Sequence, residues 1–219
     1  MYNIKQLIYG GKLLEYIALI FTSAAEAKDF SVAAIDSFMW DVNGCKPESY
    51  AAMFAVEGEG IHAILWSFED DIRCECTKRD DPVYTDSCLE LFLMPVDGDK
   101  RYINFEVNPK GVYLSQIGTC REDRVFIKEL TDLEPVIYPM EIEEDGKKAW
   151  GYEIILSESF ISDLYQTDFR ISETTIKGNF YKCADGAEKP HYGSHFPVGT
   201  ENPDFHRPEF FGDITFRKA

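Results

Sequence analysis

Two glutamates on neighbouring segments carry the first chemical suggestion in this chain. Ser87 to Met94 alternates, with Leu89, Leu91 and Leu93 on one side and Cys88, Glu90, Phe92 and Met94 on the other. Arg101 to Asn108 alternates in the same way, with Ile103, Phe105 and Val107 against Tyr102, Asn104, Glu106 and Asn108. Successive strand residues point to opposite faces, so each polar set shares a face. If the two strands pair, Glu90, Glu106 and the Asn104 amide come within reach of one ligand. Fixed acceptors and amide donors suit a hydroxyl-rich molecule. Paired carboxyls also suit a glycosidase, which holds two of them roughly 5 to 9.5 Å apart with one pKa raised. Glu106 with Glu153 is a second such pair. The plainer alternative is the solvated face of an antiparallel sheet.

Metal chemistry has weaker support. His191 and His195 have the spacing H-x3-H, and Cys183 and His206 lie nearby in sequence. Zinc accepts that spacing on a helix, but Pro190, Gly193 and Pro197 exclude one there. Loop histidines that make hydrogen bonds are the simpler reading. Asp97-Gly98-Asp99 and Asp80-Asp81 offer hard oxygens to calcium, although Asp and Gly also simply make turns. Six cysteines include the pair Cys74-x-Cys76, which is poorly placed to bridge. They read as free thiols, mostly small buried hydrophobes.

The elements that must position these residues are short strands. Ser49 to Val56 and Ile61 to Phe68 form a hairpin about Gly58-Glu59-Gly60. Val112 to Ile117, Ala149 to Leu156, Thr175 to Lys182 and Asp213 to Phe216 add further strands. Ser157-Glu158-Ser159 opens a short amphipathic helix through Tyr165. The pattern predicts an all-β fold, an antiparallel β-sandwich of jelly-roll or immunoglobulin-like type, with one short helix and long loops. The 219 residues read as a single domain, and residues 1 to about 26 can be set apart as an N-terminal appendage. Trp66 and Trp150 read as packing residues, whereas Trp40 sits in a loop and is the tryptophan to inspect for exposure.

Two long stretches carry a resemblance. The first is Asp86-Ser-Cys-Leu-Glu-Leu-Phe92, continuing through Asn104-Phe-Glu-Val-Asn-Pro109. The second runs from Gly178-Asn-Phe-Tyr-Lys-Cys183 to Asp204-Phe-His-Arg-Pro-Glu-Phe-Phe-Gly212. Together they resemble family 9 carbohydrate-binding modules over roughly residues 30 to 217, in particular the family-9-like domains of many bacteria. The resemblance implies a β-sandwich that binds saccharide without cleaving it, and in some members structural calcium. Family members hold a glycan end between two tryptophans. Those positions fall at Tyr84 and at Phe205, with His206 beside the second. The resemblance also maps a strand glutamate onto Glu90 and a loop asparagine onto Asn202. A binding arginine of the family is replaced by Glu106. This departure predicts acceptor-rich recognition that discriminates against uronic acids.

Composition narrows the partners. Thirty-nine acidic residues stand against 22 basic ones, for a net charge of −17. Such a surface opposes nucleic acid and anionic membrane, and leaves a neutral saccharide or glycan as a partner it does not repel. No apolar run is long enough to span a bilayer. The N-terminus lacks a signal-like core, which predicts a cytoplasmic protein unless a leader is missing. The expected function is glycan recognition linked to carbohydrate catabolism. A glycoside-active enzyme and an interaction scaffold that has lost its ligand are the competing readings.

Overall fold

The structure, a computed structural model, describes residues 15–144 and 146–219. The strands β1 (Glu15–Phe21), β2 (Val32–Ala34), β3 (Glu48–Val56) and β4 (Gly60–Phe68) come first. Then follow β5 (Cys88–Met94), β6 (Tyr102–Val107), β7 (Tyr113–Gly118) and β8 (Val125–Phe126). β9 (Val136–Glu144) and β10 (Lys147–Ser157) lead into α1 (Glu158–Tyr165). β11 (Thr175–Cys183), β12 (Tyr192–Ser194) and β13 (Gly212–Lys218) complete the chain.

All of these strands belong to one curled sheet, in the order β8-β7-β6-β5-β11-β13-β1-β3-β4-β10-β9. β12 adds to β11 and β2 to β3. The curl brings β5, β6 and β11 over β3, β4 and β10. Leu89, Leu91, Leu93, Ile103, Phe105, Val107 and Phe180 meet Ala51, Met53, Ala63, Leu65, Tyr152 and Ile154 in one buried cluster. The leucine and isoleucine faces expected from the alternation are therefore the inner faces of a sandwich. Helix α1 closes one end, burying Phe160, Ile161, Leu164 and Tyr165. It starts where the Ser157 hydroxyl accepts the Phe160 N–H at 3.0 Å, an N-cap that the serine predicts.

Two expectations change. The sheet is not wholly antiparallel, because β1 runs parallel to both β13 and β3. Residues 15–26 are also not an appendage. β1 joins the two halves of the sheet and buries Tyr16, Ala18 and Ile20 in the core. Its pattern was concealed because a strand hydrogen-bonded on both sides is read from partners distant in sequence. Residues 1–14 lie outside the described residues.

The β3–β4 hairpin shows how local chemistry fixes register. Gly58 turns at φ 74°, a left-handed conformation that favours glycine. A Cβ at Gly60 would lie 2.1 Å from the Leu156 carbonyl oxygen, so only glycine lets β4 approach β10 there.

A roofed polar face as the candidate saccharide site

β5 and β6 pair antiparallel with Glu90 directly opposite Glu106 and Phe92 opposite Asn104. β7 then sets Gln116 beside Asn104 and Leu114 beside Glu106. On the other flank, β11 sets Tyr181 beside Glu90 and Cys183 beside Cys88. The polar sets read from the sequence thus form one continuous face. It is not a solvated face, since Glu90 and Glu106 are each 3% exposed and Asn104 is fully buried.

Loops roof this face. Trp40, Val83, Val198, Phe205 and Phe211 pack onto Phe92, Tyr102 and Tyr181. Phe205 stacks on Tyr181 with ring centres 4.1 Å apart. Trp40 is buried rather than exposed; its indole N–H donates to the Thr200 carbonyl at 2.7 Å, and its ring tilts against Phe205. Trp66 and Trp150 are buried as expected.

The roof is incomplete, and a cavity of about 360 Å³ remains over the strand floor. That volume lies in the roughly 300–1,000 Å³ range of small-molecule sites. Glu90, Glu106, Leu114, Gln116 and Cys183 make the floor. Tyr84, Tyr192, Pro203, Phe205 and His206 supply the walls, with Asp185, Asp204, Arg121 and Arg124 among them.

Each wall is held by identifiable bonds. Asp123 accepts the N–H groups of Thr119 at 2.8 Å and Cys120 at 2.9 Å, tying the turn that presents Arg121 and Arg124. Arg121 gives its guanidinium to Asp204 at 2.7 Å. Asp204 in turn accepts the His206 N–H at 3.1 Å. Arg124 donates to His206 Nε2 at 3.0 Å. An arginine can only donate, so the His206 proton sits on Nδ1, 3.0 Å from the Tyr102 hydroxyl. On the opposite side, Asn108 donates to Asp86 at 3.0 Å and to the Cys76 carbonyl at 3.1 Å. This pins the loop that carries Tyr84 against β6. Asn108 therefore serves the scaffold.

The electrostatics follow from burial. Glu90 is held well above the ordinary carboxylate value, first by desolvation and then by the facing Glu106. Burial pushes Glu106 up to about 7, against the pull of Arg124 and Arg121. Asp185 is also raised by burial. His206 is pushed down to about 2 by burial and by Arg124, so it is neutral. Its 4.0 Å approach to Glu106 is accordingly not an ion pair.

The cavity gathers Tyr84, Glu90, Glu106, Phe205 and His206. It does not gather the two asparagines. Asn104 shares the face of Glu106 but is buried outside the cavity, donating to Glu106 Oε1 at 3.1 Å, and so steers that carboxyl. Asn202 is exposed on the outer loop, where its carbonyl accepts the Thr200 hydroxyl, and its neighbour Pro203 reaches the cavity instead. Phe205 has one ring face committed to Tyr181, so it is a wall more than a free platform. Glu153 is far from Glu106 in the fold and takes His62 Nδ1 at 3.0 Å. The sequence reading missed Arg121, Arg124, Asp185, Tyr192 and Asp204. Four of them lie in loops, where no periodicity points to a face, and Tyr192 opens β12, a strand of three residues too short to show one.

The metal candidates also separate. His195 Nδ1 donates to the Ala34 carbonyl and His191 Nδ1 to that of Lys189, as loop histidines would. Asp99 is taken by Arg101, Asp80 by Lys128, and Asp81 by the N–H groups of Thr77 and Lys78. These turn aspartates do not converge on one point, so they do not fit the structural calcium that the resemblance implies.

Comparisons with known proteins agree with this architecture. No curated protein sequence matches the chain. A candidate carbohydrate-binding protein from Bacteroides uniformis ATCC 8492 is similar in structure, with a TM-score of 0.76 and 25% identity. The match covers 93% of this chain and 99% of that one. A family 9 carbohydrate-binding module from Caldicellulosiruptor kristjanssonii, solved with glucose, has a TM-score of 0.59 at 11% identity, covering 94% of this chain and 96% of that one. The same kind of module solved with cellotriose gives 0.59 at 10% identity, with 94% of each chain covered. At such identities the likeness is one of fold. A sequence model of carbohydrate-binding family 9 matches residues 22–216, and the chain belongs to that family.

Proposed function

We propose that this protein binds a neutral saccharide, without cleaving it, in the cavity over β5, β6 and β7. The observation that carries the reading is the in-register pair Glu90 and Glu106, buried yet lining the cavity. Carboxyls facing a ligand from a dry floor orient hydroxyls strongly, because hydrogen bonds to such groups gain strength away from water. Tyr84 and Tyr192 offer ring surface to the C–H faces of a sugar, as amphipathic aromatics do.

Arg124 supports the same reading. The sequence has eight arginines, and each of the other seven makes an ion pair. Arg124 makes none among the described residues and lines the cavity. It offers donors where Glu106 has replaced the family's arginine, from a loop instead of a strand. The carboxyls still outnumber the two arginines, which favours neutral sugars over uronic acids. Retention of a neutral sugar fits a role in carbohydrate catabolism.

Cleavage fits less well. A glycosidase needs its carboxyl groups flanking the scissile bond. In-register neighbours on one floor meet the ligand from the same side.

The test is titration with a panel of neutral mono- and oligosaccharides, followed by intrinsic fluorescence and calorimetry. Binding of at least one sugar is expected, weakened severalfold or more in Tyr84→Ala and Tyr192→Ala. No binding across the panel at millimolar concentrations would overturn the reading, and unchanged affinity in both variants would move the site elsewhere.

A further inference from the structure

The cavity floor holds a cluster whose two thiols saccharide binding does not require. Cys88 and Cys183 stand opposite each other in the β5–β11 register, and Glu90 follows Cys88 on the same face. The two sulfurs and a Glu90 carboxylate oxygen lie within 4.8 Å of one another. Among the described residues no other set of three His, Cys, Asp or Glu side chains converges in this way. All three are buried, at 0%, 2% and 3% exposure. The Cys183 thiol sits 2.9 Å from Glu90 Oε1.

These spacings, 2.9 Å for one pair and at most 4.8 Å for the others, bracket what a small cation needs. Zinc bonds thiolate sulfur at about 2.3 Å and carboxylate oxygen at about 2.0–2.2 Å, which sets neighbouring ligand atoms about 3.3–3.8 Å apart. A second feature points the same way. Glu106 Oε2, buried on the strand facing Glu90, has no hydrogen-bond partner. A buried acceptor left without a donor is costly, and a water held by an ion at the neighbouring Glu90 is a donor that could meet it. Donors from the walls are few. Glu90, Glu106, Asp185 and Asp204 line the cavity against Arg121 and Arg124, and Arg121 is committed to Asp204. Glu90 and Cys183 line the cavity themselves, which gives an ion a route in from solvent.

We propose that Cys88, Cys183 and Glu90 form a binding site for a thiophilic divalent cation of the zinc type, with its fourth position open to the cavity. Two sulfurs and one carboxylate select against calcium, which takes six to eight oxygens. Each thiol, and Glu90 where it is protonated, gives up its proton to solvent on binding, leaving two thiolates and a carboxylate around a dication. The fourth position takes water or a ligand oxygen.

The test uses the full chain, reduced, stripped with a chelator and titrated anaerobically with cobalt(II), with no sugar present. The expected result is a thiolate-to-cobalt charge-transfer band in the near ultraviolet, with the strong visible bands of tetrahedral cobalt. Both should saturate at one equivalent and be displaced by zinc but not by calcium. Cys88→Ser and Cys183→Ser should each lower cobalt affinity at least about tenfold, with circular dichroism confirming that the variants fold. Glu90→Gln, close in shape, should also weaken binding while keeping the charge-transfer band. Cys74→Ser/Cys76→Ser should leave the spectrum unchanged. No charge-transfer band with cobalt in large excess, or a band that survives Cys88→Ser/Cys183→Ser, would overturn the proposal. Neither outcome depends on whether a saccharide binds.

Discussion

The outer face of β3 and β4 and the outer face of β5, β6 and β11 are both covered, and the covers differ in kind. Over β3 and β4, Phe21, Ala27 and Phe30 pack onto Ala52, Phe54, Val56, Ile64 and Trp66. Phe30 and His62 stack on Phe54 at 5.3 and 4.7 Å, and Tyr50 stacks on Trp66 at 5.5 Å. Flat rings in contact fill that space. Over β5, β6 and β11 the cover is also aromatic, but the strands beneath present Glu90, Asn104 and Glu106. A carboxyl cannot be sealed under a ring without a partner, and there the cover opens into the cavity. A face of the sheet becomes a site where its strand residues require polar company.

The largest effect should break the filled face. Phe54→Ala removes a fully buried ring from two stacks and should cost about 3–5 kcal/mol of stability by urea or thermal unfolding. Saccharide affinity of the protein that remains folded should not change. If affinity falls with it, the two faces are coupled and the comparison fails.

The open face should respond in the opposite way. Glu106→Gln removes a buried carboxyl with an unpartnered oxygen, so stability should hold or rise. Affinity for saccharide should fall about ten- to a hundredfold, the equivalent of about 1.5–3 kcal/mol for a hydrogen bond to a charged group. Arg124→Ala should weaken binding about tenfold, and Arg124→Lys should not restore it, because lysine lacks the planar fork. Calorimetry alongside unfolding separates the two quantities.

A smaller effect should appear with pH. His206 is neutral in the fold, with its pKa lowered to about 2, whereas an unfolded histidine titrates near 6.5. Between these values the unfolded chain binds the extra proton. The contribution of His206 is therefore fully present above about pH 6.5 and is lost as pH falls below it, by about 1.4 kcal/mol per unit at most. Arg124, Tyr102 and Glu106 face this ring. Glu106 works the other way, because its raised pKa lets the folded state hold the extra proton below about 7. Comparison with His206→Asn isolates the histidine. The stability gap between wild type and variant should narrow by about 2 kcal/mol from pH 7 to pH 5. A constant gap would mean that His206 titrates in the fold as it does in the unfolded chain.

Legibility in the sequence varied with distance along the chain. The β3–β4 hairpin, β5, β6, β7, β10, β11 and α1 are readable because period-two alternation, glycine turns and a serine cap are local signals. Glu90 opposite Glu106 was readable once two adjacent strands were assumed to pair. β1 was not readable, since both of its partners are parallel and remote. Arg121, Arg124 and Asp185 were not readable either, because loop residues acquire their place only when the strands that anchor them are in register. Asn202 shows the converse. It lies in the matching motif, yet its loop turns it to solvent and sends Pro203 inward.

By itself the sequence determined which side chains share a strand face, because alternation is a property of the extended backbone. It thereby determined the inner core, the polar floor and the helix at the sandwich end. The tertiary structure decided whether that floor met water, a packed cover or a cavity. It decided too that Cys88 and Cys183, 95 residues apart in the chain, would stand side by side at that floor. Those outcomes depend on loop closure and long-range strand order, where the free energy lies in contacts between residues that no local pattern relates.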